Sequence, residues 1–297
     1  MEYMSFVPGF GAGIREAERE ASPWMAGRSP ATNVLKGALR IKELDLPLVI
    51  GHRGAAARAP ENTLAGFRMA KSLGCTWVEF DVRLTADGNL VVCHDDRLDR
   101  TTGASGRISK LPLVAIREFD AGCSFSRSFI GERIPSLDEA LLCCHELGLG
   151  ANVEIKAEGG RGPATAAAVA SCLGRLASHL PPILISSFLP DAIAEATTLL
   201  PSVPRGMLWR KIPRNWRKIA EQLGCATIHC GHADLTEKAA AAVCAAGYPL
   251  LAYTVNDVGR ARQLFEWGVA SVFSDAPDII SKPVVDNLAA ARRGACL

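Results

Sequence analysis

From Leu46 onward, short runs of aliphatic and β-branched residues alternate with longer stretches of helical period, each bounded by Gly, Pro or Asp. Nine runs read as strands: Leu48–His52, Trp77–Val82, Leu90–His94, Ala151–Ile155, Ile183–Ser187, Val203–Leu208, Thr227–Cys230, Leu250–Thr254 and Ser271–Ser274. Between the second and third there is no room for a helix, and Asp87-Gly88 is a strong hairpin signal. Leu90–His94 is therefore expected to fold back antiparallel. Eight βα repeats remain, which predicts an α/β fold of the TIM (β/α)₈ barrel type over an open doubly wound sheet.

The hairpin makes a positional prediction. With Asp87 and Gly88 as a two-residue loop, Thr85 pairs with Leu90, Arg83 with Val92 and Asp81 with His94. Glu79, Asp81 and Arg83 share a face through the two-residue period, so His94 is expected beside Glu79 and Asp81.

Residues 1 to 45 mix Gly, Pro, Ser and charges without periodicity and read as a poorly ordered extension outside the barrel or over it. With Glu2, Glu16, Glu18 and Glu20 and no apolar run, they do not form a secretory signal. The most apolar stretch, Ala239 to Val255, is broken by Gly247, Tyr248 and Pro249, so a helix and then a buried strand are expected rather than a membrane span.

The length of 297 residues and a hydrophobic content of 48% suffice for one large core, which assigns residues 46–297 to a single barrel domain. A formal charge of +2 excludes a strong field for gathering nucleic acid or an anionic membrane, so recognition of a phosphate must be local. The ten cysteines are mostly scattered singly through apolar stretches, as reduced core thiols would be, and they suit a cytoplasmic location.

Chemistry-bearing residues gather at strand ends. The first strand closes on Gly51-His52-Arg53-Gly54, at the barrel mouth, where Arg53 offers a fork for phosphate oxygens or, as a plain surface turn, nothing. Pro60-Glu61-Asn62-Thr63 opens a helix, with Asn62 as its cap and Glu61 open to a role as metal ligand or histidine partner. Glu79 and Asp81 face one way from an apolar strand, and Glu154 and Lys156 repeat the pattern. Buried carboxylates demand compensation, from Arg53 or Arg83 or from a hard divalent cation. His145 and His179 fall in helical segments and read as bystanders, whereas His229 and His232 occupy a strand end and are candidates to line the mouth without performing chemistry.

Together, His52-Arg53-Gly54, Pro60-Glu61-Asn62-Thr63, Glu79-x-Asp81, Asp87-Gly88, His94-Asp95 and Glu154-x-Lys156 resemble the glycerophosphodiester phosphodiesterase family in order and spacing. The resemblance runs from about Leu48 to Ser281 and takes in Ser186-Ser187-Phe188, Thr254-Val255-Asn256 and Ser274-Asp275-Ala276-Pro277. It looks most like the bacterial cytosolic branch.

This resemblance implies a TIM barrel with a small insertion after the second strand, about residues 95–136, capping the mouth. It implies hydrolysis of glycerophosphodiesters to sn-glycerol 3-phosphate and an alcohol, with Mg²⁺ or Ca²⁺ as cofactor. By motif position, His52 and His94 take the acid/base roles, and Glu79, Asp81 and Glu154 hold the metal. Arg53, Lys156, Glu61, Phe188 and Tyr253 contact or surround the substrate, although many relatives carry Trp where this chain has Tyr253. The expected partner is a small-molecule glycerophosphodiester, with no nucleic acid, no stable membrane insertion and a homodimer left open. Two alternatives stand beside this reading. A related barrel phospholipase, of lysophospholipase D or phosphatidylinositol phospholipase C type, would show an apolar membrane-facing rim; a silent phosphodiester-binding barrel would lack a histidine or a carboxylate.

Overall fold

The computed structural model describes residues 45–281, so the extension expected over residues 1 to 45 falls, apart from Asp45, outside the described residues. All nine expected strands form: β1 (Val49–His52), β2 (Trp77–Leu84), β3 (Leu90–Val92), β4 (Gly150–Ile155), β5 (Ile183–Ser187), β6 (Arg205–Trp209), β7 (Thr227–Gly231), β8 (Leu250–Tyr253) and β9 (Ser271–Ser274). Between them run α1 (Leu64–Ser72), α2 (Asp99–Thr102), α3 (Leu113–Ile116), α4 (Leu137–Leu147), α5 (Gly162–Leu176), α6 (Pro190–Leu199), α7 (Trp216–Gln222), α8 (Glu237–Ala245) and α9 (Val258–Glu266). β1 pairs in parallel with both β2 and β9, which closes β1, β2 and β4 to β9 into an eight-stranded parallel barrel. The structure thus bears out the closed barrel.

Local signals explain where elements begin and end. At α4, the Ser136 hydroxyl accepts from the Glu139 N–H while the Glu139 carboxylate accepts from the Ser136 N–H, and Gly148 ends the helix at φ 62°. At α1 the cap is Thr63, whose Oγ1 accepts from the Gly66 N–H, and not Asn62 as the sequence led us to expect. Asn62 is committed elsewhere.

Strand alternation divides the core in two. Val49, Val78, Phe80, Val82, Val153, Ile155 and Ile185 face outward into the layer shared with the helices, where Phe67 of α1 meets Phe80 at 5.1 Å between ring centres. Ile50, Trp77, Leu184, Leu251 and Phe273 fill the barrel interior. Phe80 is fully buried, so truncating it to Ala would cost roughly 3–5 kcal/mol. Gly150 is required by the same packing, because a Cβ there would lie 2.2 Å from the Trp77 indole.

The hairpin forms, but one residue out of the expected register. Val82 pairs with Val92, Arg83 with Val91 and Leu84 with Leu90. The Thr85 N–H donates to the Asn89 carbonyl, leaving Ala86, Asp87 and Gly88 as a three-residue loop with Gly88 at φ 78°. Gly88 therefore serves as the left-handed third residue of a longer turn, not as half of a two-residue one. Opposite Asp81 stands Cys93, whose N–H donates to the Asp81 carbonyl. His94 reaches the mouth because the ladder has ended by then, and its carbonyl accepts from Arg83 Nε and Nη2.

From Asp95 to Ser136 the chain builds a cap with its own small core of Leu98, Ile108, Ile116, Ala121 and Ile134 against Val91 and Cys93. The expected Ala239 to Val255 helix and strand are α8 and β8. Among the described residues no helix is long and apolar enough to cross a membrane, and the nine described cysteines are free.

Candidate active site

Parallel register assembles the site from separate strands. In neighbouring strands His52 is the Cα partner of Glu79, Glu79 of Asn152, and Asp81 of Glu154. Alternation then turns the carboxylates of Glu79, Asp81 and Glu154 into the barrel, where one oxygen from each lies within 4.8 Å of the others. All three are buried.

Two cations answer these three charges. Lys156 Nζ lies 2.6 Å from Glu154 Oε1 and 3.3 Å from Asp81 Oδ1, and Arg53 Nε lies 3.4 Å from Asp81 Oδ2. Burial works against ionisation at Asp81, but Lys156 and Arg53 prevail and hold its carboxyl well below the usual carboxylate range. Burial, reinforced by the charge of Asp81, pushes Glu79 up and Glu154 to about 7. Glu79 Oε2 accepts from the Arg53 N–H at 3.0 Å, yet its buried Oε1 accepts no hydrogen bond. A buried acceptor without a donor, in a pocket with three carboxylates and two compensating cations, fits a hard divalent cation bound by oxygen.

Asn62 occupies a gap in the sheet. Along one edge of β2, pairing passes from β1 at Val78 and Glu79 to β3 at Val82, and the Asp81 N–H falls between. Asn62 Oδ1 accepts from that N–H at 3.2 Å while Asn62 Nδ2 donates to Asp81 Oδ2 at 2.9 Å. The bond pair needs Asn62 at φ 58°, a left-handed conformation that Asn tolerates better than most residues.

Each mouth histidine has a carboxylate on Nδ1. His52 Nδ1 lies 2.6 Å from Asp275 Oδ1, and Asp275 Oδ2 accepts from Asn256 Nδ2 at 2.7 Å. His94 Nδ1 lies 2.6 Å from Asp95 Oδ1. In both rings Nε2 is left for the pocket, and His52 Nε2 stands 3.8 Å from Glu79 Oε2. Burial lowers the His94 pKa, an effect that the charge of Asp81 only partly opposes. Asp81, Arg53 and Lys156 all act on the charge of His94, so it belongs to the same electrostatic unit.

Glu61 stands outside the three-carboxylate cluster; it shares Arg53 with Asp81, pairing with Nη1 at 2.9 Å, and pairs also with Arg100. Phe188 and Tyr253 meet edge to face at 5.9 Å beside Lys156, whose ammonium lies 5.4 Å from the Phe188 ring centre. The Tyr253 hydroxyl donates to the Trp209 carbonyl, so its ring edge is fixed in place.

The remaining histidines divide. His145, in α4, and His179, after α5, meet edge to face at 5.8 Å between ring centres, as bystanders. His229 does not line the mouth: it is fully buried mid-strand, bonded to Thr227 Oγ1, and burial pushes its pKa down to about 3. Asp275, Asp95, Asn62 and Arg100 carried no assigned site role in the sequence. Closure of the barrel was the usable signal for Asp275, because pairing of Gly51 with Ser274 sets the next residues, His52 and Asp275, side by side.

A model of the glycerophosphoryl diester phosphodiesterase family matches residues 52–279. YhdW of Bacillus subtilis is 33% identical over 242 residues, spanning 79% of this chain and 96% of that protein. A glycerophosphodiester phosphodiesterase of Caldanaerobacter subterraneus is 30% identical over 234 residues, spanning 78% and 96%. Among solved structures, an Oleispira antarctica phosphodiesterase in complex with the product sn-glycerol-3-phosphate superposes with a TM-score of 0.78 at 38% identity, covering 84% of this chain and 99% of its own.

Proposed function

Because the chain belongs to the glycerophosphoryl diester phosphodiesterase family, we propose that it hydrolyses glycerophosphodiesters to sn-glycerol 3-phosphate and an alcohol with the help of a divalent cation. The observation that carries this reading is the pair of histidines, each held at Nδ1 by a carboxylate, flanking a buried three-carboxylate pocket.

A phosphodiester resists hydrolysis because its anionic oxygens repel a nucleophile and its alkoxide leaves poorly. Glu79, Asp81 and Glu154 would hold Mg²⁺ or Ca²⁺, which supplies charge stabilisation to the phosphoryl oxygens. Arg53 and Lys156 donate to the same oxygens. With Nδ1 engaged, His52 and His94 exchange protons through Nε2: one takes the proton of the attacking hydroxyl and the other delivers a proton to the leaving oxygen. The attacking group is water or the neighbouring glycerol hydroxyl, and trapping a cyclic phosphate in a single turnover separates these routes. Phe188 and Tyr253 wall one side of the pocket and bear on the fit of the glycerol or alcohol. The domain runs from about residue 46, and its free thiols suit a reducing, cytoplasmic compartment.

Steady-state kinetics of His52→Ala and His94→Ala test the assignment. Each should lower kcat by roughly 10²-fold or more with far smaller changes in KM, and the double variant should be little worse than either. Near-normal kcat in either single variant removes that histidine from the proton-transfer role.

A further inference from the structure

Resting on the function proposed above, the geometry points to Arg100 as a positioning residue that locks His94 and Arg53 into one unit. Arg100 lies on α2, in the cap, and touches neither the carboxylate pocket nor the histidines by any hydrogen bond. Its guanidinium instead holds the partners of both. Nε donates to Asp95 Oδ2 at 2.7 Å, while Nη1 and Nη2 donate to the two oxygens of Glu61 at 2.6 and 2.8 Å. Asp95 in turn engages His94 Nδ1, and Glu61 engages Arg53 Nη1. A continuous chain therefore runs His94–Asp95–Arg100–Glu61–Arg53, joining the segment after β3 to the loop after β1.

The chemistry of the link favours geometry over stability. Arg100 is about half exposed, with a side-chain exposure of 49%, so solvent screens its ion pairs and they contribute little to folding. What a planar fork supplies is direction: three N–H groups address two carboxylates at fixed angles, which a lysine ammonium does not reproduce. Glu61, by contrast, is mostly buried between two guanidiniums; burial opposes its ionisation, but Arg100 and Arg53 keep its pKa low, so it stays charged and holds both. Removing Arg100 frees one oxygen each of Asp95 and Glu61 and leaves the other Glu61 oxygen to Arg53 alone, so the ring of His94 and the fork of Arg53 each lose a fixed support. Proton transfer and phosphate binding are then loosened together although neither group has been changed.

The test uses the full chain with its cation and compares wild type, Arg100→Met and Arg100→Lys. We expect Arg100→Met to lower kcat about 10-fold or more with a smaller rise in KM, Arg100→Lys to recover only part of the loss, and Tm to stay within a few degrees of wild type. In Glu61→Gln and Asp95→Asn backgrounds the same substitution should cost much less, as members of one chain do not act additively. Hydrogen–deuterium exchange, which needs no turnover, should rise in both the 53–63 and the 94–102 segments. Unchanged exchange in these segments, or a kcat loss that is full-sized in the variant backgrounds and tracks a fall in Tm, overturns the inference. Wild-type protein inactive on every glycerophosphodiester but with the exchange response intact would sink the proposed function and leave the clamp standing.

Discussion

His52 and Asp275 sit 2.6 Å apart across 223 residues of chain, because β1 and β9, the first and last strands, are neighbours in the closed barrel. The carboxylate fixes which ring nitrogen faces the phosphate pocket, and Asn256 fixes the carboxylate. Asp275→Asn keeps the shape but removes the charge and upsets the tautomer of His52. Its kcat should fall on the order of 10²-fold with KM changed little, measured at saturating cation. A variant with wild-type kcat would show that His52 needs no such partner.

Glu154 makes the cation-free protein sensitive to pH in an unusual sense. Its folded pKa of about 7 exceeds the ordinary value of 4.5, so between these limits the folded chain binds more protons than the unfolded chain, and Glu79 shifts the same way. Stability of the metal-free protein should therefore rise as pH falls from 7 towards 4.5 as far as these two groups govern it. A divalent cation competes with the same protons. Calorimetry near pH 6 in buffers of different ionisation enthalpy should detect proton release on Mg²⁺ or Ca²⁺ binding, and Glu154→Gln should reduce it. Binding without proton release would place the cation away from these carboxylates.

Asn62 ties the metal pocket to the sheet. Asn62→Ala leaves the Asp81 N–H and a carboxylate oxygen without their partner in a fully buried setting, which should cost about 1–3 kcal/mol and lower Tm by several degrees. Cation affinity should fall as well, read by calorimetry. Wild-type stability with wild-type affinity would mean that water replaces the amide at no cost.

Much of this is legible in the sequence alone. Strand count and the Asp87-Gly88 signal sufficed for the closed barrel with one antiparallel strand, since alternation and loop chemistry are local properties. Inward alternation at Glu79, Asp81 and Glu154 likewise foretold the carboxylate pocket. Register is not local: Gly88 takes positive φ in either loop, but the two-residue turn would need Asp87 at positive φ as well, which it does not adopt, and the difference moves the residue opposite Asp81 from His94 to Cys93. For Asn62 the sequence suggests a helix cap, because it shows the helix nearby and not the unfilled sheet edge that the side chain meets. A strand end looks the same in sequence as a strand middle when both are flanked by apolar residues, which is why the sequence suggests the mouth for His229 although the ring lies mid-strand.

The account stands most directly on cation-dependent hydrolysis. Release of sn-glycerol 3-phosphate from glycerophosphocholine and glycerophosphoethanolamine, followed by a coupled assay, should stop when EDTA is added and resume when Mg²⁺ or Ca²⁺ is supplied in excess, because three converging carboxylates with two cations leave one charge uncompensated. Undiminished release in chelator, or no release from any glycerophosphodiester with cation present, would contradict it.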